Sequence, residues 1–178
     1  MRNMHAHRIH RTTGFTLLEL AVVIVLTGIV AASVIPAVSS MTQTRGPAAA
    51  EAIARELGVA RQHALNTGRP SAAHVDIAMS QIGLHELSPN GGNIQTMLDA
   101  FGQARPLLVL GDLFPGISLS NFEGFDGAFG ALMWFGSDGA PELRSTEGTL
   151  LGLATHDARL ELAGGETIVV RRISGLIE

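Results

Sequence analysis

The longest apolar stretch of the chain runs from Phe15 to Val38, and no residue between Leu20 and Ile35 is charged. With its flanks, this stretch approaches the roughly 20 residues that a helix needs to cross a bilayer. One glutamate, Glu19, lies near its start. A cleaved signal peptide with a cut near Ser39 is an alternative, although such peptides have a shorter apolar core of about 7–15 residues. The pattern favours a transmembrane anchor that contains an acidic residue.

A helical pattern of apolar positions returns after Pro36. Residues 48–54 are rich in alanine, a strong helix former. Gly68 predicts the end of this helix, and Gly46-Pro47 predicts a bend or a brief break before it. The apolar positions step by 4, 3 and 4 and so share one stripe of an amphipathic helix, which consists of Ile53, Leu57, Ala60 and Ala64.

Beyond residue 70 the pattern changes to short runs in which apolar and polar residues alternate, as in half-buried strands. Residues 122–130 mix phenylalanine with glycine and give no assignment. One long helix followed only by strands predicts an α+β fold with the helix packed on an antiparallel sheet. The predicted strands cover 73–77, 81–87, 106–110, 117–119, 131–135, 159–162 and 167–173.

Composition and charge narrow the function classes. The formal net charge of −4 gives no overall positive field of the kind that nucleic-acid-binding proteins use. The chain has no cysteine, which excludes a disulfide framework and a thiolate nucleophile or metal ligand. Three arginines, Arg2, Arg8 and Arg11, precede the apolar stretch. By the positive-inside rule, this end stays in the cytoplasm and the bulk of the chain lies across the membrane.

The segment Gly14–Glu19, with its short basic leader and following apolar helix, resembles the N-terminus of type IV pilins and type II secretion pseudopilins. The resemblance implies that a prepilin peptidase cuts between Gly14 and Phe15 and methylates the new amine of Phe15. It also implies an assembly role for Glu19 and places Gly28 and Pro36 where the family tolerates helix breaks. Thr13 departs from the family, which commonly has a basic residue before the glycine.

The position of Glu19 has a physical reason if the resemblance holds. An ionised carboxylate near the middle of a bilayer costs about 2.5–3.5 kcal/mol, and less near the end of a span. Cleavage would create a positive amine at Phe15, one helical turn from Glu19. The pair could form within one chain or, as the family implies, between neighbouring subunits. The alternative is a glutamate at the headgroup level of a simple anchor.

The remainder of the chain resembles the H-type minor pseudopilins and the FimT-like minor pilins. Residues 56–68 match the pattern L-x-x-A-R-x-x-A-x-x-x-G, residues 134–139 match F-x-x-x-G, and the terminal hairpin closes on Ser174-Gly175. Residues 88–130 match no known pattern. Major pseudopilins fit less well, because the chain has no tyrosine and no calcium loop of their type.

The sequence gives only weak indications of a metal, calcium or DNA-binding site. Residues His74, Asp76 and His85 could share a sheet face, but such residues more often form a solvated polar surface than a metal site. Asp126-Gly127 and Asp138-Gly139 could belong to calcium-binding loops, but Asp-Gly is equally typical of ordinary turns. Arg171-Arg172 is read as an ordinary strand pair, since the basic C-terminal tail of DNA-binding relatives is missing. We expect no enzyme activity, no cofactor, no metal and no nucleic-acid partner.

These observations predict a pilin-like chain in four segments: a removable cytoplasmic leader (1–14), a transmembrane and assembly helix (15–38), its periplasmic continuation (39–68) and a β-rich periplasmic domain (69–178). The predicted function is that of a minor pseudopilin of type II secretion. Alternatives are a minor pilin of a type IV pilus and a periplasmic enzyme or binding module on a simple anchor. The expected partners are the prepilin peptidase, other pilin-like subunits, the inner-membrane assembly platform and lipid.

Overall fold

The computed structural model describes residues 16–89, 92–127 and 131–178, without the side chains of residues 32–43. The chain divides into two compact units, Met1–Ser40 and Met41–Glu178. The predicted leader 1–14 and the residues Gly14 and Phe15 lie outside the described residues. The four segments predicted from the sequence therefore remain predictions.

The helix α1 spans Leu17–Thr67 and is 51 residues long. It continues through Gly28, Pro36 and Gly46-Pro47, so none of these residues ends it. A proline removes one backbone hydrogen bond from a helix, and here the helical backbone tolerates that loss at two positions. Among the described residues, no helix combines the length and the apolar character that crossing a membrane requires.

Within the first unit, the large apolar side chains of α1 are exposed on all sides. Large contiguous apolar surfaces of this kind are rare on soluble monomers and mark sites of interaction with proteins or membranes. The exposed residues are Leu17, Leu18, Leu20, Val22, Val23, Ile24, Val25, Leu26, Ile29 and Val30.

Within the second unit, α1 buries one stripe, as the apolar spacing predicts. Ile53, Leu57, Ala60 and Ala64 are fully buried, together with Ala49 one turn earlier. The helix ends at Thr67, and Gly68 follows with a φ of +66°, a conformation that favours glycine. The predicted stripe and the predicted stop are both confirmed.

Two antiparallel sheets complete the second unit. The larger sheet has the order β3-β2-β1-β6-β7-β8, with β4 paired to β2, and the smaller sheet has the order β10-β9-β5. The fold is therefore α+β with antiparallel sheets, as predicted. The elements after α1 are β1 (Ser71–Asp76), β2 (Gln81–Leu87), β3 (Ile94–Thr96), β4 (Leu108–Val109), α2 (Leu110–Leu113), β5 (Leu119–Glu123), β6 (Leu132–Phe135), β7 (Pro141–Arg144), β8 (Leu150–Leu153), β9 (Ala158–Leu162) and β10 (Thr167–Val170).

Three predicted strands have different limits in the structure, and one of them, 117–119, shares only Leu119 with β5. The run 106–110 contains only the short strand β4, because the chain turns into α2 at Leu110. The final strand ends at Val170, since the chain reverses after it and pairs Ile177 with Val170. This return covers the outer edge of β10 with main-chain hydrogen bonds between Val169 and Glu178.

The core of the second unit lies between the stripe of α1 and the inner faces of both sheets. Alternation along each strand decides which side chains point inward. In β1, Ala73 and Val75 point to the core, whereas His74 lies on the opposite face and is half-buried. Phe125 and Phe135 meet edge to face in the core, with ring centres 6.2 Å apart.

Candidate functional site

Glu19 takes part in a capping box at the start of α1. The Glu19 N–H donates to Thr16 Oγ1 at 3.2 Å, and the Thr16 N–H donates back to Glu19 Oε2 at 3.3 Å. This reciprocal pair is the T-x-x-E arrangement that satisfies two free N–H groups of a helix terminus. The sequence contains this signal as Thr16-Leu-Leu-Glu19, but the cap was not among the features predicted above.

The capping box fixes the direction of the Glu19 carboxylate. Its Oε2 lies over Thr16, on the N-terminal side of its own residue, where the partial positive charge of the helix terminus favours an anion. Both side chains are exposed. The predicted cut between Gly14 and Phe15 falls outside the described residues, immediately before this cap.

Gly28 is not required by the packing of its own chain. A Cβ added at Gly28 would meet no atom within 4 Å. The neighbouring Thr27 hydroxyl donates to the carbonyl oxygens of Val23 and Ile24 in the preceding turn. These bonds direct the hydroxyl toward the helix backbone and away from the surface of the apolar helix. The helix surface at Gly28 is therefore open for another chain to approach closely.

The three segments that carry the H-type resemblance meet at Arg61. The Arg61 Nε–H donates to the carbonyl oxygen of Gly139 at 3.1 Å, and Nη2 donates to the carbonyl oxygen of Ser174 at 2.8 Å. Gly175, with a φ of +63°, packs so closely that an added Cβ would lie 2.8 Å from the Gly139 oxygen. These residues form a structural clamp between α1, the β6–β7 turn and the C-terminal segment.

A second link between α1 and the larger sheet is the buried carboxylate of Glu86, which is 3% exposed. Its Oε2 lies 2.7 Å from His63 Nε2 and 3.4 Å from Arg69 Nη2, and Gln95 Nε2 donates to Oε1 at 2.7 Å. Burial by itself raises the pKa of Glu86, but the hydrogen bonds from His63 and Gln95 and the charge of Arg69 outweigh burial. The net pKa of Glu86 lies below its ordinary value.

The cluster around Glu86 was not predicted from the sequence, although the sequence contains a signal for it. In β2, Ile82 and Leu84 occupy alternate positions and point to the core. The same alternation assigns Glu86 to the buried face. A buried carboxylate needs partners, and His63 in α1 and Arg69, two residues after the end of α1, supply them.

Of the residues considered for metal or calcium binding, Asp76 and Asp138 have local roles, whereas His74 and His85 lie close together, with ring centres 6.0 Å apart. Asp76 accepts hydrogen bonds from the Met79 N–H at 3.0 Å and from Gln81 Nε2 at 3.4 Å. The Asp138 carboxylate accepts the Ala140 N–H at 2.9 Å, as in an ordinary turn. Within the described ranges, no group of three or more histidine, cysteine, aspartate and glutamate residues is placed to hold a metal ion.

Arg171 and Arg172 form ion pairs and hydrogen bonds with other residues of their own domain. Arg171 forms ion pairs with Asp157 at 3.1 Å and with Glu178 at 2.8 Å. The Arg172 guanidinium donates to the carbonyl oxygen of Thr155 at 2.9 Å. Hydrogen bonds from the Arg172 N–H and then from Arg171 lower the pKa of Asp157. Both arginines thus stabilise the turn after β10.

Comparison with known proteins identifies two kinds of likeness. A family model described as the prokaryotic N-terminal methylation motif matches residues 9–35. Two solved structures of the minor pseudopilin EpsH from the Type 2 Secretion System of Vibrio cholerae are similar in fold. One has a TM-score of 0.51 at 14% identity, covering 75% of this chain and 94% of that chain. The other has a TM-score of 0.52 at 13% identity, covering 76% and 95%.

At these identities the structural likeness concerns the fold. Among curated proteins, no sequence matches significantly. The chain therefore combines an N-terminal methylation motif with a domain that has the fold of a minor pseudopilin.

Proposed function

We propose that this chain is a minor pseudopilin, a membrane-anchored and non-enzymatic subunit near the tip of a type II secretion pseudopilus. The observation that carries the proposal is the methylation motif at residues 9–35, which is immediately followed in the chain by a domain with the EpsH fold. A fold alone does not identify a function. The motif adds a specific processing chemistry to the fold.

The proposed topology follows from charge and hydrophobicity. Arg2, Arg8 and Arg11 keep the N-terminus in the cytoplasm. The apolar segment 15–38, of which Phe15 and the side chains from residue 32 onward lie outside the described part of the chain, anchors the protein in the inner membrane. The domain 69–178 then lies in the periplasm. The exposed apolar side chains of α1 supply the surface that lipid covers first and that neighbouring subunits cover after assembly.

The proposed mechanism starts with processing. The prepilin peptidase cuts between Gly14 and Phe15 and methylates the new amine, which carries a positive charge next to the start of α1. The capping box already directs the Glu19 carboxylate toward this end of the helix. An amine and a carboxylate attract strongly where water is excluded. Pairing of Glu19 with the Phe15 amine of a neighbouring subunit would set the position of each helix in the filament.

The proposed partners follow from these steps. The peptidase binds the leader 1–14 and the residues around the cut. Other pseudopilins contact the apolar half of α1, where Gly28 allows a close approach. The assembly platform in the inner membrane extracts the subunit, and the growing filament assists export of folded proteins.

The intact mass of protein extracted from membranes tests the proposal. We expect the loss of residues 1–14 and the addition of one methyl group at Phe15. An uncut chain that begins at Met1, or a cut near Ser39, would contradict the proposal. Either result would favour an enzyme or a binding module on a simple anchor or signal peptide.

A minor pilin of a type IV pilus would give the same mass, so a second measurement is needed. Deletion of the gene should leave the secreted proteins inside the cell and should leave pilus-dependent motility intact. The opposite pattern would assign the chain to a type IV pilus.

A further inference from the structure

Two histidines meet on the outer face of the larger sheet, the face that points away from α1. His74 in β1 and His85 in β2 have ring centres 6.0 Å apart and planes inclined by 84°. The strand register pairs His74 with Gly83 and Ala72 with His85, so the two histidines are diagonal neighbours. Diagonal neighbours on antiparallel strands lie within reach of long or aromatic side chains.

The imidazole nitrogens of this pair differ from those of the other described histidines. His63 is held by Glu86 at 2.7 Å, and His156 lies 3.0 Å from the Thr155 hydroxyl. Within the part of the chain that the structure describes, neither His74 nor His85 forms a hydrogen bond. Their lone pairs are therefore available to a ligand.

The spacing of the rings fits a shared ion. Two imidazoles that bind one ion through bonds of about 2.0–2.1 Å have ring centres between roughly 4.5 Å apart for a right-angled pair and roughly 6.5 Å apart for an opposed pair, and the observed 6.0 Å lies within this range. Gly83 lies beneath His85, since a Cβ added there would lie 3.4 Å from His85 Nε2, and the Leu107 side chain also covers this position, with Cδ2 at 2.8 Å. A cavity of about 290 Å³ opens over the pair, lined by His74, His85, Ile94, Leu132 and Thr146.

We propose that His74 and His85 together bind one divalent transition-metal ion, with Cu²⁺ bound most tightly. Imidazole nitrogen is a preferred ligand for copper, zinc and nickel, and copper(II) heads the affinity order for a given nitrogen site. The described residues supply no third histidine, cysteine or carboxylate ligand there. Water would complete the coordination, which makes this an open site. The site does not depend on the assembly role proposed above.

The test uses the full chain in detergent and Cu²⁺ as the probe. His5, His7 and His10 are replaced by asparagine throughout, because the leader could bind copper by itself. Calorimetry should give one Cu²⁺ per chain, and the electron paramagnetic resonance spectrum should show two coordinating nitrogens. His74→Ala and His85→Ala should each weaken binding by about tenfold or more, since one imidazole cannot replace a chelating pair.

The matched control is His156→Ala, which removes a histidine outside the pair and should leave copper binding unchanged. Equal affinity in His74→Ala, His85→Ala and the parent chain would overturn the proposal. A parent spectrum with one coordinating nitrogen would overturn it too, and this measurement requires no substitution at His74 or His85. Thermal melting without copper checks that each variant is folded.

Discussion

The Arg61 Nε–H of α1 donates to the carbonyl oxygen of Gly139 at 3.1 Å, across 78 residues of sequence. The same guanidinium reaches the carbonyl oxygen of Ser174, so one side chain joins the helix to two distant segments. The residues that resemble the H-type pseudopilins are thus explained by packing. They hold the domain together and need no ligand or catalytic role.

Replacing Arg61 with alanine should destabilise the second unit. Two hydrogen bonds from a charged, partly buried donor are lost, and two carbonyl oxygens lose a partner. We expect a loss of about 2 kcal/mol in the free energy of unfolding, or roughly 4–8 °C in Tm for a domain of this size. Arg55→Ala is the control, because Arg55 is exposed and its partner among the described residues, Glu51, is exposed too. Similar shifts in both variants would contradict the role of the clamp.

Replacing Gly175 with alanine should disrupt the same clamp from the other side. The new Cβ would lie 2.8 Å from the Gly139 oxygen and 2.9 Å from Arg61 Nε. Gly116→Ala is the matched control, since Gly116 also has a positive φ but has open space around it. Both variants place alanine in the left-handed backbone conformation, which costs about 1–2 kcal/mol of folding stability. Thermal melting should show the larger loss for Gly175→Ala, and equal losses would mean that the close approach is unimportant.

Acid should weaken the domain through Glu86. Because the folded pKa of Glu86 is lowered, its stabilisation is complete above the unfolded pKa of about 4.3. The stabilisation is lost as pH falls from there through the folded pKa. Urea unfolding between neutral pH and pH 3 should show this loss. Glu86→Gln should cost about 3 kcal/mol at neutral pH and should flatten the acid part of the profile.

The control for Glu86 is Glu51→Gln, at an exposed carboxylate on α1. Its stability should fall with acid as in the parent chain. If Glu51→Gln flattens the profile as much as Glu86→Gln, the acid sensitivity does not come from the buried cluster.

Two variants separate the charge of Glu19 from its role in the capping box. Glu19→Gln keeps a side chain that can complete the box but removes the charge. Thr16→Ala keeps the charge and removes the cap, at a cost of about 1 kcal/mol in helix stability. We expect both variants to be cut after Gly14, and only Glu19→Gln to fail to enter filaments. Sheared filaments probed by immunoblotting give the measurement, and normal entry of Glu19→Gln would refute a role for the charge.

The elements predicted correctly from the sequence are those in which apolar residues recur with a clear helical or strand period. The stripe Ile53, Leu57, Ala60 and Ala64 recurs at helical spacing, and all four residues are buried in the structure. The hairpin of β1 and β2 follows from clear alternation, and that alternation continues to Glu86. In these segments local pattern and burial agree, which is why sequence reasoning succeeds there.

The missed elements have weak local signals and depend on distant partners. β8 is a run of Leu150, Leu151 and Leu153 around one glycine, with no alternation to reveal a strand. Its three leucines are exposed at the sheet edge, and only pairing with β7 defines it as a strand. The features of the candidate site differ in the same respect, since some have a local sequence signal and others depend on distant partners. The T-x-x-E cap is local and could be read, whereas the meeting of His74 with His85 depends on strand register.

The clamp at Arg61 also sets an order of events for a chain that emerges from its N-terminus. The buried stripe of α1 appears first, but the carbonyl groups that hold Arg61 belong to Gly139 and Ser174 and appear much later. β1 lies between β2 and β6 in the sheet, so one edge of β1 stays unpaired until β6 has also emerged. Until those segments arrive, Ile53 and Leu57 lack their covering sheet and remain open to non-native association. We therefore expect the nascent domain to fold late, after nearly its whole length has emerged, rather than progressively along the chain.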